Sequence, residues 1–139
     1  YLRWDPQEIY YYAVKNCGYE VDDQRTDGTY GRYTGIDDKF EWLHFYCQYI
    51  KFGIGRARMD ASHEIRNGHI TREEGLLLCK KYEGNYPKRY INDCFKFMNL
   101  NPSEANEIID SFRPNHLWRK NKNKWIRLQE LRELSKAVK

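Results

Sequence analysis

Between Asp38 and Phe52 the chain places apolar residues on every side of an expected helix: Phe40, Leu43, Cys47 and Ile50 on one face, and Trp42, Phe45, Tyr46, Tyr49 and Phe52 on the others. A helix that is apolar all round has to be buried. The rest of a 139-residue chain, about one domain in length, must therefore wrap it. So little surrounding sequence suggests that a missing domain, or a second copy of the chain in a homodimer, covers one face.

The flanking punctuation is helical. Asp5-Pro6-Gln7-Glu8 reads as a capped start, with Glu8 reaching back to close a capping box, and Gly18 as the stop. Gly53-Ile54-Gly55 interrupts the apolar helix; a further helix runs from Arg56 to Asn67 and ends at Gly68. Thr71-Arg72-Glu73-Glu74 is a second capping box, opening a helix that fades by Gly84. Pro87 is expected to open a fifth helix carrying Tyr90, Ile91, Cys94, Phe95 and Met98, and Asn101-Pro102-Ser103-Glu104 a sixth that runs to Phe112. The fold class expected is all-α, a compact bundle of five to six helices. The exceptions are Tyr19 to Asp37, a glycine-, Thr- and Tyr-containing stretch with no period, read as a long ordered loop, and Leu117 to Leu128, where Trp118 and Trp125 flank Asn121-Lys122-Asn123 in a candidate small hairpin. Leu128 to Val138 reads as a final amphipathic helix.

Charge is unevenly placed. Nine Lys and Arg from Arg113 to Lys139 stand against Glu130 and Glu133, a local +7, which leaves −3 of the total +4 on the first 112 residues. The domain is accordingly read as 1–118, followed by a basic tail, 119–139. With Trp118 and Trp125 the tail has the composition of a nucleic-acid surface; the alternative is a solvated terminus. No run of residues is apolar enough to span a bilayer and no signal peptide opens the chain, so a cytoplasmic protein with no membrane partner is expected. Tyr1-Leu2-Arg3-Trp4 reads like a loop that something precedes.

Candidate chemistry centres on Lys51-Phe52-Gly53-Ile54-Gly55-Arg56-Ala57-Arg58. Two glycines permit close backbone approach, and Lys51, Arg56 and Arg58 bring cations to a helix start, so a phosphate or carboxylate fits there. The alternative is a glycine hinge between packed helices. The spacing is not that of a P-loop. Asp60 and His63 on the next turns could line a groove. His63-Glu64 lacks a second histidine at the fourth position on, His69 being six away, so no zinc helix is spelled. His44 reads as a core histidine rather than a base. Asp37-Asp38 reads as a helix cap, or as a carboxylate aimed into a substrate groove beside the Thr/Tyr loop. Cysteines 17, 47, 79 and 94 form no C-x-x-C pair and read as buried free thiols, and no nucleophile motif is present, so no catalytic residue is named.

Three runs carry a family resemblance: Gly28-Thr29-Tyr30 through Asp37-Asp38-Lys39, Tyr49 through Ala57, and Ala61-Ser62-His63-Glu64-Ile65-Arg66-Asn67-Gly68-His69-Ile70-Thr71-Arg72-Glu73-Glu74-Gly75. Over Tyr1 to Trp118 the chain resembles the C-terminal part of the bacterial N-acetyl sugar amidotransferases, PP-loop ATP pyrophosphatase proteins of lipopolysaccharide and pseudaminic-acid-type nonulosonic sugar biosynthesis. The resemblance implies a preceding PP-loop domain bearing S-G-G-x-D-S, which with ATP and Mg adenylates a substrate oxygen. Ammonia from a glutaminase partner then displaces AMP, converting an acetamido to an acetamidino group on a nucleotide-linked or nonulosonic sugar. No S-G-G-x-D-S occurs here. The expectation is therefore a C-terminal helical domain that binds no cofactor alone. Lys51 and Arg56 would meet substrate or pyrophosphate charge, with Asp60 beside them, and Thr29, Tyr30 and Asp38 would line the sugar pocket. The alternatives are a module that docks the ammonia-supplying subunit, or a nucleic-acid-binding domain using the basic tail.

Overall fold

The structure, a computed structural model, describes residues 3–122 and 124–128. Six helices run in order: α1 (Pro6–Cys17), α2 (Glu41–Phe52), α3 (Arg56–Asn67), α4 (Arg72–Tyr82), α5 (Ile91–Phe97) and α6 (Pro102–Ser111), followed by an antiparallel hairpin of β1 (Trp118–Asn121) and β2 (Lys124–Arg127). The all-α reading with one small hairpin holds.

Local chemistry sets most boundaries. Thr71 and Asn101 each close a full capping box, with Glu74 and Glu104 returning to the cap backbone. Asp5 accepts from the amides of Gln7 and Glu8, but the reciprocal arm from Glu8 is not formed. Gly68 ends α3 at φ +80, a left-handed conformation that costs glycine nothing.

Two starts differ from expectation. α2 begins at Glu41 rather than Asp38, because Asp38 closes a turn first: its carboxylate accepts the Phe40 amide at 2.7 Å and its carbonyl the Glu41 amide at 3.3 Å. α5 begins at Ile91 rather than Pro87. Residues 87–90 are instead pinned to the long loop, Lys88 donating its amide to Asp27 at 2.8 Å and Arg89 pairing with Asp22 at 2.7 Å.

The expected wrapping of α2 comes from the chain itself. On one side Leu43 and Ile50 pack with Ile91, Cys94 and Phe95 of α5, Ala105 and Ile109 of α6, and Trp118 of β1. On the other, Trp42 donates its indole N–H to the Gly35 carbonyl of the loop, and Phe45 lies against Gly35. Only a strip of His44, Lys51 and Phe52 stays open. Exposed large apolar residues occur on several elements, Leu77 and Phe97 among them, and α1 has no buried residue and leaves Ile9, Tyr11, Tyr12 and Val14 in solvent. All four cysteines are free; Cys79 and Cys94 are buried as expected, whereas Cys17 is exposed and Cys47 half-buried. The amphipathic stretch expected from Leu128 to Val138 lies almost wholly outside the described residues, as does the tail beyond 128.

Candidate functional site

The long loop is ordered by its own threonines. Thr26 and Thr29 are fully buried; Thr26 donates its hydroxyl to the Thr34 carbonyl and its amide to Gly31. This fold of the loop brings Gly28 to α3, where its carbonyl takes the Ala57 amide at 3.1 Å. It also aims Thr29 at the first turns of that helix.

Arg56 and Asp60 lie one turn apart on α3, and Nε of Arg56 donates to Asp60 Oδ1 at 2.9 Å. The other oxygen, Oδ2, accepts the Thr29 hydroxyl at 2.5 Å. Asp60 is thus held on both oxygens, while the Arg56 guanidinium is steadied 5.1 Å above the Phe45 ring. Around this triad stand Tyr30, Tyr33 and Glu64. Burial, then the charges of Asp60 and Glu64, push the Tyr33 hydroxyl up to about 12. Burial and the same two carboxylates raise Tyr30 further, and its hydroxyl is enclosed without a hydrogen-bond partner. Burial also raises Glu64, more than the opposing influence of Tyr30 lowers it. The Tyr33 ring stacks on Tyr10 of α1 at 4.7 Å, and its hydroxyl donates to Gln7 at 3.3 Å. At the far end of α3, His69 meets the carboxylate of Asp5 at 2.8 Å. The face is a fixed array of one guanidinium, two carboxylates and the Tyr33 phenol, with the Tyr30 hydroxyl enclosed behind it.

Four of the six residues singled out from sequence therefore come together: Thr29, Tyr30, Arg56 and Asp60. Thr29 itself has no exposed surface, so it positions Asp60 instead of lining a pocket. Asp38 is exposed and committed to its turn, and no contact joins it to this array. Lys51 points elsewhere, lining with His44, Cys47, Gln48, Phe52 and Phe112 an open groove of about 530 Å³. His44, read as a core histidine, is exposed on that strip. Spacing alone could have paired Arg56 with Asp60 and Glu64; Tyr33 and the loop partner Thr29, 31 residues from Asp60, carry no such signal.

The anion anticipated at Gly53-Ile54-Gly55 is present, and it belongs to the chain. Glu83, whose side chain is 3% exposed, accepts the Gly55 amide on Oε1 at 2.9 Å and Arg58 on Oε2 at 2.7 Å, with Arg127 at 3.6 Å. A Cβ on residue 55 would lie 2.7 Å from Glu83 Cγ, so glycine is required by this close approach. Arg127 also donates to the Gly53 carbonyl at 2.6 Å, tying the hairpin to the elbow. Sequence reasoning missed Glu83, which stands 28 residues from Gly55.

The glycine-rich helix start is filled by Glu83, and among the described residues no three His, Cys, Asp or Glu side chains gather into one cluster. Nor is any helix among them long and apolar enough to cross a membrane.

Comparison with curated proteins finds none that matches the chain. The family model described as LPS biosynthesis protein WbpG-like, C-terminal domain, matches residues 27–132, a span that contains the second half of the long loop, the whole of α3 and the hairpin. The chain belongs to the WbpG-like lipopolysaccharide-biosynthesis proteins, as their C-terminal domain.

Proposed function

We propose that this domain forms the sugar-side half of an ATP-dependent N-acetyl sugar amidotransferase, acting in the cytoplasm beside a PP-loop domain that supplies the ATP chemistry. The observation that carries the reading is the Arg56–Asp60–Thr29 triad, fixed beneath the loop within the segment that matches the family. Arg56 offers a preorganised cation to the negative charge of a nucleotide-linked or nonulosonic sugar, or to pyrophosphate as it departs, and such donors need no reorganisation as charge develops. Asp60 and Glu64 accept from sugar hydroxyls. No step through ATP is assigned to this chain.

The test is AMP release by the intact enzyme, supplied with ATP, an N-acetyl sugar and ammonia. Arg56→Ala is expected to lower turnover by on the order of 10²-fold, with the melting temperature recording whether the fold is kept. Unchanged turnover in a folded Arg56→Ala protein would remove the reading, and Lys51→Ala, in the separate groove, serves as the comparison.

A second reading is favoured by α1. Its exposed Ile9, Tyr11, Tyr12 and Val14 are suited to docking a glutaminase or other ammonia-supplying subunit. Binding of that subunit by the wild-type domain, lost on Tyr11→Ala and Tyr12→Ala, would support it.

A further inference from the structure

From Ser111 to Leu128 the chain carries six Lys and Arg and no carboxylate. Two of the six are committed internally. Arg113 pairs with Asp110 and donates to Tyr46 Oη at 2.8 Å, while Arg127 serves Gly53 and faces Glu83. Arg119, Lys120, Lys122 and Lys124 are exposed, and none forms an ion pair among the described residues. Lys120 lies 5.4 Å over the Trp125 ring, whereas Arg119, Lys122 and Lys124 are like charges on one short ribbon that repel one another. The ribbon is nonetheless held firmly, Trp118 donating its indole N–H to the Ile50 carbonyl at 2.7 Å and Trp125 to Asp110 at 3.0 Å.

The register decides what the outer face offers. Arg119 stands opposite Ile126 and Asn121 opposite Lys124, so these four share one face, and Lys122 occupies the turn. Ile126 is 40% exposed and the adjoining Leu128 41%. The outer face therefore intersperses cations with bare aliphatic side chains.

We propose that this hairpin seats the domain on an anionic phospholipid surface. Phosphate headgroups complement Arg119 and Lys124 of that face and Lys122 of the turn, and the two aliphatic side chains enter the interfacial region between them. Single-stranded nucleic acid is the less fitting polyanion, because surfaces that hold it add open aromatic rings on which bases stack. Trp118 is 7% exposed, and Trp125 is turned inward onto Asp110, so both platforms expected from sequence are in use. The absence of a spanning segment bears on crossing a bilayer, not on resting against one. This inference does not depend on the amidotransferase reading.

The experiment is co-sedimentation of the full chain with vesicles of phosphatidylcholine alone and of phosphatidylcholine with phosphatidylglycerol, at low and high salt. Binding is expected only on the phosphatidylglycerol vesicles, and it should fall steeply with salt. Each cation near such a surface strengthens binding about fivefold, so replacing Arg119, Lys122 and Lys124 together by Gln should weaken it on the order of 10²-fold, with circular dichroism and melting unchanged. A second variant, Ile126→Ser with Leu128→Ser, should lower vesicle binding and leave binding to single-stranded RNA as it was. Equal pelleting with neutral vesicles, undiminished binding of the three-Gln variant, or RNA that displaces the protein fully from vesicles would each overturn the proposal.

Discussion

Glu83 is the residue whose loss the fold should tolerate least. Its carboxylate is almost wholly buried and serves three partners at once: the Gly55 amide at the start of α3, Arg58 one turn in, and Arg127 at the end of β2. Glu83→Ala leaves two guanidinium groups facing each other without their counter-charge, and their Nε atoms are already enclosed without partners. Breaking a buried pair in this way costs about 3–5 kcal/mol. For a domain of this size, at ~3–5 °C per kcal/mol, melting should fall by roughly 10–20 °C. Glu83→Gln keeps one acceptor, for the Gly55 amide, but loses the charge and turns an N–H donor toward Arg58 and Arg127, so about 3 kcal/mol is expected. Urea unfolding followed by tryptophan fluorescence reads both values, and trypsin cleavage at Arg119 to Lys124 reports whether the hairpin has unhooked from the elbow. Arg58→Met combined with Glu83→Ala should cost less than the sum of the two singles, because the second change removes a charge that the first has stranded. A Glu83→Ala protein within ~1 kcal/mol of wild type, the scale of an exposed ion pair, would refute the buried-anion account.

Two further outcomes follow from the loop and α3. Thr29→Val keeps the shape of a fully buried side chain and deletes the hydroxyl that Asp60 accepts; a loss of about 1.5–3 kcal/mol in urea unfolding is expected, and an unaltered midpoint would show that this bond is idle. Glu64 is raised above its ordinary value of 4.5, chiefly by burial. A carboxyl whose native pKa is raised binds its proton more tightly folded than unfolded, so its favourable share is complete below 4.5 and is lost as pH rises through the native value. Glu64→Gln should therefore stabilise the domain at neutral pH, with the gain vanishing on acidification below that range; a gain that persists at low pH would assign it to packing.

What the sequence made legible was local. Thr71 with Glu74, Asn101 with Glu104, and Gly18 and Gly68 each act within a few residues, and the helices they bound lie where the caps put them. The same local reading put Arg56 and Asp60 on successive turns of α3 without pairing them. What escaped it was long-range. Nothing near Glu83 marks it as the anion of the glycine elbow, and nothing near Pro87 warns that Lys88 and Arg89 are held by Asp27 and Asp22, over 60 residues earlier. Aromatic composition misled in a related way. Trp118 and Trp125 read as a stacking surface, yet each indole N–H closes a contact inside the fold.

The indole of Trp118 has a consequence for how the domain assembles in time. Ile50 lies in the last turn of α2, where carbonyls have no donor within the helix, and its carbonyl waits for a residue 68 positions further on. The Gly53 carbonyl waits for Arg127, 74 positions on. The central helix thus reaches its finished form only when the final hairpin has been made and has docked, and contacts so distant in sequence close slowly. During synthesis the most apolar helix of the domain is the one left longest with an open end.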